Sequence, residues 1–173
     1  MEVFIVMGDN LKKDIINAYN TSLKFLGPRP RSIKEVRDNL YKKKFKQNII
    51  EQTIILLKDE NLINDEFFTM EFIAMREKLK PKSKFALRYE LRQKGISDLI
   101  IDNGLKDIDE NKSALAAIKP KLPLWQKLDR ETMKKKMMNF LNNRGFSWEK
   151  ISTTYDTITH DTIYKKLNDQ EKN

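Results

Sequence analysis

One pattern is written three times in this 173-residue chain, at a spacing of about fifty residues. Ser32 opens a stretch in which Val36 and Leu40, four positions apart, share a helix face. Phe45 follows, and then a second apolar run through Ile49, Ile50, Ile54 and Leu57. The same order returns from Ser83, with Leu87, Leu91, Gly95-Ile96 and then Ile100, Ile101 and Leu105. It returns again with Met137, Leu141, Gly145-Phe146, Ile151 and Tyr155. Ile50 and Ile101 stand 51 positions apart, and Ile101 and Ile151 stand 50 apart. A repeat of this length cannot bury its apolar face alone and stacks on its neighbour, so the chain is confined to a tandem array of helical units.

Each unit has room for one more helix before the pair. Ile15, Ile16, Tyr19, Leu23 and Leu26 supply it in the first, over about residues 11–26. Phe68, Phe72, Met75 and Leu79 supply it in the second, over about residues 65–79. In the third it begins near Glu110 with Leu115 and Ile118, and breaks at Pro120 and Pro123. Ser32 with Glu35 reads as a capping box, and Gly27-Pro28-Arg29-Pro30 and Lys80-Pro81 separate the first helices from the second. The expected fold is all-α: three tandem three-helix repeats over residues 11–61, 62–108 and 109–158, nine helices in all. An N-terminal arm over residues 1–10 and a loosely ordered polar tail over residues 159–173 flank them.

The five-residue spacing across each helix stop has its own meaning: Leu40 with Phe45, Leu91 with Ile96, Leu141 with Phe146. In a Schellman helix end the residue after the left-handed C′ position packs back on C3. That assigns Gly95 and Gly145 to C′, where the absence of a Cβ is favourable, and puts Lys44 in the same slot of the first repeat. The two glycines are expected to be structural, fixing the angle between the second and third helices of their repeats.

Hydrophobic residues are 39% of the chain and charged residues 34%, a lean core for so much charge, which favours a thin, extended body. There is no cysteine, so disulfides, thiolate metal sites and cysteine nucleophiles are excluded. His160 is the only histidine and lies in the polar tail, and the five glycines stand isolated, so no catalytic triad or Gly-rich phosphate loop is expected. Asp107, Asp109 and Glu110, and Asn64, Asp65 and Glu66, form acidic groups that read as helix caps and first-turn acids rather than as a magnesium site. No enzymatic activity, metal or cofactor follows from this inventory. The apolar cluster Val3–Met7 is too short to span a bilayer, and a soluble, cytoplasmic protein is expected.

The formal net charge is +9, which favours polyanionic partners. Residues 29–46 carry eight cations against Glu35 and Asp38, a local charge of +6. Arg29, Arg31, Arg37, Lys42, Lys43 and Lys44 are the candidates there. Arg88, Arg92 and Lys94 occupy the equivalent helix of the second repeat, and Lys134, Lys135 and Arg144 that of the third. If the repeats stack regularly, these cations line a common ridge suited to nucleic acid; the plainer reading of any one of them is a solvated helix face. Tyr41, Tyr89, Trp125 and Trp148 lie near enough to be stacking platforms for bases, although Trp148 also fits core or cap packing, as do Phe45, Phe140 and Phe146.

Four stretches in order resemble the RecX family: Arg29-Pro30-Arg31-Ser32, Leu62-Ile63-Asn64-Asp65-Glu66-Phe67, Glu90-Leu91-Arg92-Gln93-Lys94-Gly95-Ile96 and Phe140-Leu141-Asn142-Asn143-Arg144-Gly145-Phe146-Ser147. The resemblance spans roughly residues 16–158. The chain departs from the family's pattern at Lys44, at Asn61, at Pro120 to Pro123 and at Asn143. The resemblance implies a curved, elongated array that binds along the groove of the RecA–DNA filament. It implies modulation, mostly inhibition, of RecA strand exchange, ATP hydrolysis and coprotease activity, with weak binding to single- or double-stranded DNA. The competing reading from the residues is an autonomous DNA-binding helical protein of the helix-turn-helix kind. Repeats that pack mainly on their neighbours predict an elongated monomer, with a radius of gyration in small-angle scattering above the about 16 Å of a compact domain of this length. A value at or below that figure overturns the extended array.

Overall fold

The computed structural model describes residues 9–170. Among them are ten α-helices and no strand. They are α1 (Asp9–Leu26), α2 (Ile33–Lys42), α3 (Gln47–Asp59), α4 (Asp65–Leu79), α5 (Lys84–Gln93), α6 (Asp98–Leu105), α7 (Glu110–Ile118), α8 (Leu122–Trp125), α9 (Arg130–Asn142) and α10 (Trp148–Gln170). Nine of these follow the expected grammar of three per repeat. The tenth, α8, is a single turn after a 3-10 turn at Lys119–Lys121, with Pro120 and Pro123 each in a first turn where a missing N–H is tolerated.

Helix starts are set by side-chain caps. Ser32 accepts from the Glu35 N–H while Glu35 accepts from the Ser32 N–H, completing the capping box. Asn64 Oδ1 accepts from Glu66 N at 2.8 Å and Phe67 N at 3.0 Å, and Asp109 Oδ1 from Asn111 N at 3.0 Å and Lys112 N at 3.2 Å. These acidic and amide groups therefore satisfy the orphan donors of α4 and α7.

Helix stops are Schellman corners. Gly95 has φ 80° and Gly145 φ 82°. Ile96 N–H reaches the Leu91 carbonyl at 3.1 Å and Phe146 N–H the Leu141 carbonyl at 3.2 Å. Lys44, at φ 64°, forms the same corner, with Phe45 N–H on the Leu40 carbonyl at 3.2 Å. A fourth corner ends α3: Asn61 has φ 56° and Leu62 N–H meets the Leu57 carbonyl at 2.8 Å. Asparagine tolerates the left-handed region better than most residues, and Leu57 and Leu62 show the same five-residue spacing.

Several expectations are corrected. Helix α10 runs to Gln170, well past residue 158, because no glycine or proline interrupts the chain after Trp148. Asp9 and Asn10 begin α1 rather than belonging to an arm, whose other residues lie outside those described. Met75 and Leu79 are exposed while Phe68, Phe72 and Ile73 are buried, so the apolar face of α4 lies nearer its start. Trp125 is buried and cannot serve as a stacking platform, whereas Trp148 is 63% exposed.

The chain divides into two compact units, each of which gathers one junction between repeats. The first comprises the chain up to Phe72 together with Leu91–Gly104; the second comprises Ile73–Glu90 and the chain from Leu105 onward. In the first, α1, α2 and α3 pack pairwise around Ile15, Val36, Leu40, Ile50, Ile54 and Leu57. In the second, α7, α9 and α10 pack around Ala114, Ile118, Met137, Leu141, Phe146 and Ile151.

Both junctions are built the same way. In the first unit the Asp65 carboxylate, at the start of α4, accepts the Ile33 N–H of α2 at 2.9 Å, and Ser32 Oγ donates to the Lys94 carbonyl at 2.7 Å. In the second the Glu110 carboxylate, at the start of α7, accepts the Lys84 N–H of α5 at 2.8 Å, and Ser83 N–H donates to the Arg144 carbonyl at 3.1 Å. Each glycine corner lies against the helix start it serves. A Cβ on Gly95 would stand 2.7 Å from Lys34 Cβ, and one on Gly145 would stand 2.7 Å from Ser83 Oγ and 2.9 Å from Ala86 Cβ.

Gly95→Ala and Gly145→Ala therefore combine left-handed strain with a clash against rigid Cβ atoms. Each is expected to destabilise by about 1–3 kcal/mol in denaturant unfolding. Lys44→Gly removes a left-handed side chain from an exposed corner and is expected to leave the midpoint unchanged or higher. Wild-type midpoints for both alanine variants would refute this account of the corners.

Candidate functional site

The cations singled out from the sequence divide by what they touch. In the first unit, Glu35 is the centre of a half-buried cluster. Its carboxylate takes Arg29 Nη2 at 2.9 Å, Lys94 Nζ at 2.7 Å and the Ser32 N–H at 3.2 Å. Burial pushes the Glu35 carboxyl up, but Arg29, Lys94 and the Ser32 N–H together outweigh it and hold it at about 2. Arg29 and Lys94 are thus both engaged by Glu35, and Lys94 ties the second repeat to the first.

Arg37 forms a two-pronged pair with Glu51, Nε to Oε1 at 3.0 Å and Nη2 to Oε2 at 2.9 Å, tying α2 to α3. Arg31 lies over the Phe25 ring at 4.1 Å and donates Nε to the Phe25 carbonyl at 3.2 Å. Arg92 pairs with Asp98 at 2.8 Å, an exposed bridge over the α5–α6 corner.

Lys42, Lys43 and Lys44 differ from all of these. They are exposed at the end of α2 and on its corner, and none forms an ion pair among the described residues. Lys46, at the start of α3, is exposed beside them. Tyr41, 70% exposed, lies next to the cluster in sequence, at the end of α2.

In the second unit Arg144 is half-buried over the Phe140 ring at 4.1 Å, and burial lowers its pKa. Its carbonyl is the acceptor in the second junction. Lys135 pairs with Glu131 at 2.6 Å, one turn away on α9. Arg88 is half-buried. Lys134 is exposed, its Nζ 5.5 Å from the centre of the Tyr155 ring. Arg130 was not singled out from the sequence; it is exposed and donates Nε to the Tyr155 hydroxyl at 3.2 Å. The tyrosine stands where the other repeats carry Ile54 and Leu105, and that substitution of a phenol for an aliphatic side chain was the available signal.

No group of three or more His, Cys, Asp or Glu side chains among the described residues is placed to hold a metal ion. Among the same residues no helix is long and apolar enough to cross a membrane.

The Glu35 cluster has a pH signature. A carboxylate held near 2 against an ordinary 4.5 adds stability in full above about pH 4.5, and that stability is lost as pH falls toward 2. The full shift sets an upper limit on the order of 3 kcal/mol, which solvent screening at the exposed Arg29 reduces. Glu35→Gln is expected to destabilise the protein at neutral pH by up to that amount and to flatten the stability profile between these pH values. A parallel profile in acid titrations of the two proteins would refute the cluster's role.

Comparison with known proteins agrees with this geometry. The family model for the first three-helix domain of RecX matches residues 18–55, and that for the second three-helix domain matches residues 64–105. The regulatory protein RecX of Chlorobium phaeobacteroides is 40% identical over 82% of this chain and 93% of its own length. That of Prosthecochloris aestuarii is 37% identical over 84% of this chain and 95% of its own. The crystal structure of RecX from Lactobacillus salivarius superposes with a TM-score of 0.72 at 23% identity, covering 86% of this chain and 98% of that one, which is a likeness of fold. With two relatives at this identity covered almost end to end, the chain belongs to the RecX family of regulatory proteins, and it is a regulator rather than an enzyme.

Proposed function

We propose that this protein binds the filament that RecA forms on DNA and modulates it, mostly by inhibiting strand exchange, ATP hydrolysis and coprotease activity. Membership of a family of regulatory proteins named RecX supports the reading. The observation that carries it is the exposed run Lys42, Lys43 and Lys44, which finds no carboxylate among the described residues and so is available to a polyanion. In this reading those lysines, with Lys134, contact phosphates directly. Arg29, Arg31, Arg37, Lys94 and Arg144 hold the helices that present them, and Arg88, Arg92 and Lys135 lie at the margins. The protein acts as a monomer in the cytoplasm and holds naked single- or double-stranded DNA more weakly than the filament.

The test is a strand-exchange assay with a cognate RecA. Exchange and ATP hydrolysis are expected to fall at stoichiometric protein or below. Undiminished activity at saturating protein overturns the reading, and equal affinity for naked duplex and for filament at physiological salt would favour an autonomous DNA-binding regulator. Replacing Lys42, Lys43 and Lys44 by Gln should reduce the log–log salt dependence of filament binding by about 0.7 to 0.9 per lost phosphate contact. An unchanged slope and affinity would return these lysines to the solvated surface.

A further inference from the structure

The three repeats are copies of one scaffold, so a place where one copy departs from the other two stands out. Helix α9 begins a turn earlier than α2 and α5 do: Met133 is the positional equivalent of Ser32 and Ser83, yet α9 starts at Arg130. At the start of α10, Trp148 stands where the other repeats carry the polar Gln47 and Asp98. Two turns on, Tyr155 replaces Ile54 and Leu105. All three departures line one groove between α9 and α10, of about 180 Å³.

The groove joins three kinds of chemistry. Met137 and Tyr155 are buried at its base. Trp148, 63% exposed, gives it an uncovered indole, whereas the chain's other tryptophan, Trp125, is only 8% exposed. Arg130 and Lys134 stand on the α9 side, one bonded to the Tyr155 hydroxyl and the other near its ring, and neither pairs with a carboxylate among the described residues. Asp156 is the single acid at the groove.

We propose that this groove takes one unstacked nucleotide of a single-stranded nucleic acid. The base stacks on Trp148, its neighbouring phosphate meets Arg130 and Lys134, and Asp156 accepts from base N–H groups that face it. Size and charge together select this occupant. A volume below the roughly 300 Å³ at which pockets begin to take drug-sized ligands admits a single ring system. Two unpaired cations beside an aromatic platform match a phosphate beside a base, the combination that single-strand binding sites use. The inference deepens the reading of a DNA-borne partner, and it fails separately from it.

The experiment is fluorescence titration of the full chain with a short oligothymidylate. Trp148 emission is expected to be quenched on binding, while that of buried Trp125 serves as an internal reference. Trp148→Ala should abolish the quenching and weaken binding about 5- to 150-fold, the range that corresponds to loss of one base stack. Trp148→Phe should restore most of the affinity. Its side chain is largely in solvent, so folding is checked simply by the unfolding midpoint. An oligomer of abasic sites should bind the parent and Trp148→Ala alike. Arg130→Gln with Lys134→Gln should reduce the single-strand salt slope by up to about 0.7 per lost contact. Three outcomes overturn the proposal: unchanged affinity in Trp148→Ala, equal loss of affinity for the abasic oligomer, or quenching by an acidic peptide but not by oligothymidylate. If Trp148→Ala keeps its oligonucleotide affinity while the parent still inhibits strand exchange, the groove is refuted and the filament reading stands.

Discussion

The fold depends on how the amino ends of α2 and α5 are finished. A helix start leaves main-chain N–H groups without intrahelical partners, and leaving them unsatisfied in a junction costs about 1–3 kcal/mol each. Here the first such donor of α2 and of α5 is met from the next repeat: Asp65 on the Ile33 N–H and Glu110 on the Lys84 N–H. The glycine corner of the next repeat's second helix then closes over the same start, with the Lys94 and Arg144 carbonyls as acceptors. Each of the first two repeats is completed by its successor, so the pieces of one junction travel together. That is why the compact units each contain one junction and part the second repeat within α4 and α5.

Much of this was legible in the sequence. Apolar periodicity gave the existence and order of α1 to α6 and the bounds of α1 and α4 to within about two residues, because Ser32, Asn64, Gly95 and the prolines mark the ends chemically. The Leu91–Ile96 and Leu141–Phe146 spacing gave the corners. What was hidden is long-range. Nothing local shows that Asp65 caps a helix 32 positions earlier, or that Gly95 must clear Lys34 Cβ as well as adopt positive φ. Charge was the least legible property. Arg29, Arg37 and Lys94 look in sequence like Lys42 and Lys43, and only the fold shows that the first three are taken by Glu35 and Glu51.

That division changes how the positive charge of the first repeat is understood. A cation bonded to a carboxylate is held in place and partly neutralised locally, whereas an unpaired exposed lysine keeps its charge for a partner. The arginines, whose planar forks suit two-pronged pairs and ring faces, do the holding at Arg29, Arg31, Arg37 and Arg144. The unpaired charges next to them in sequence are lysines.

Lys44 carries a consequence beyond its charge. In the second and third repeats the equivalent residue must be glycine, because the preceding repeat's helix start lies against it. The first repeat has the same left-handed corner, but among the described residues it stands exposed, and the position bears a long polar side chain. Lys42, Lys43 and Lys44 give that corner a hydrophilic face turned to water, where a side chain is tolerated that a packed glycine corner would exclude.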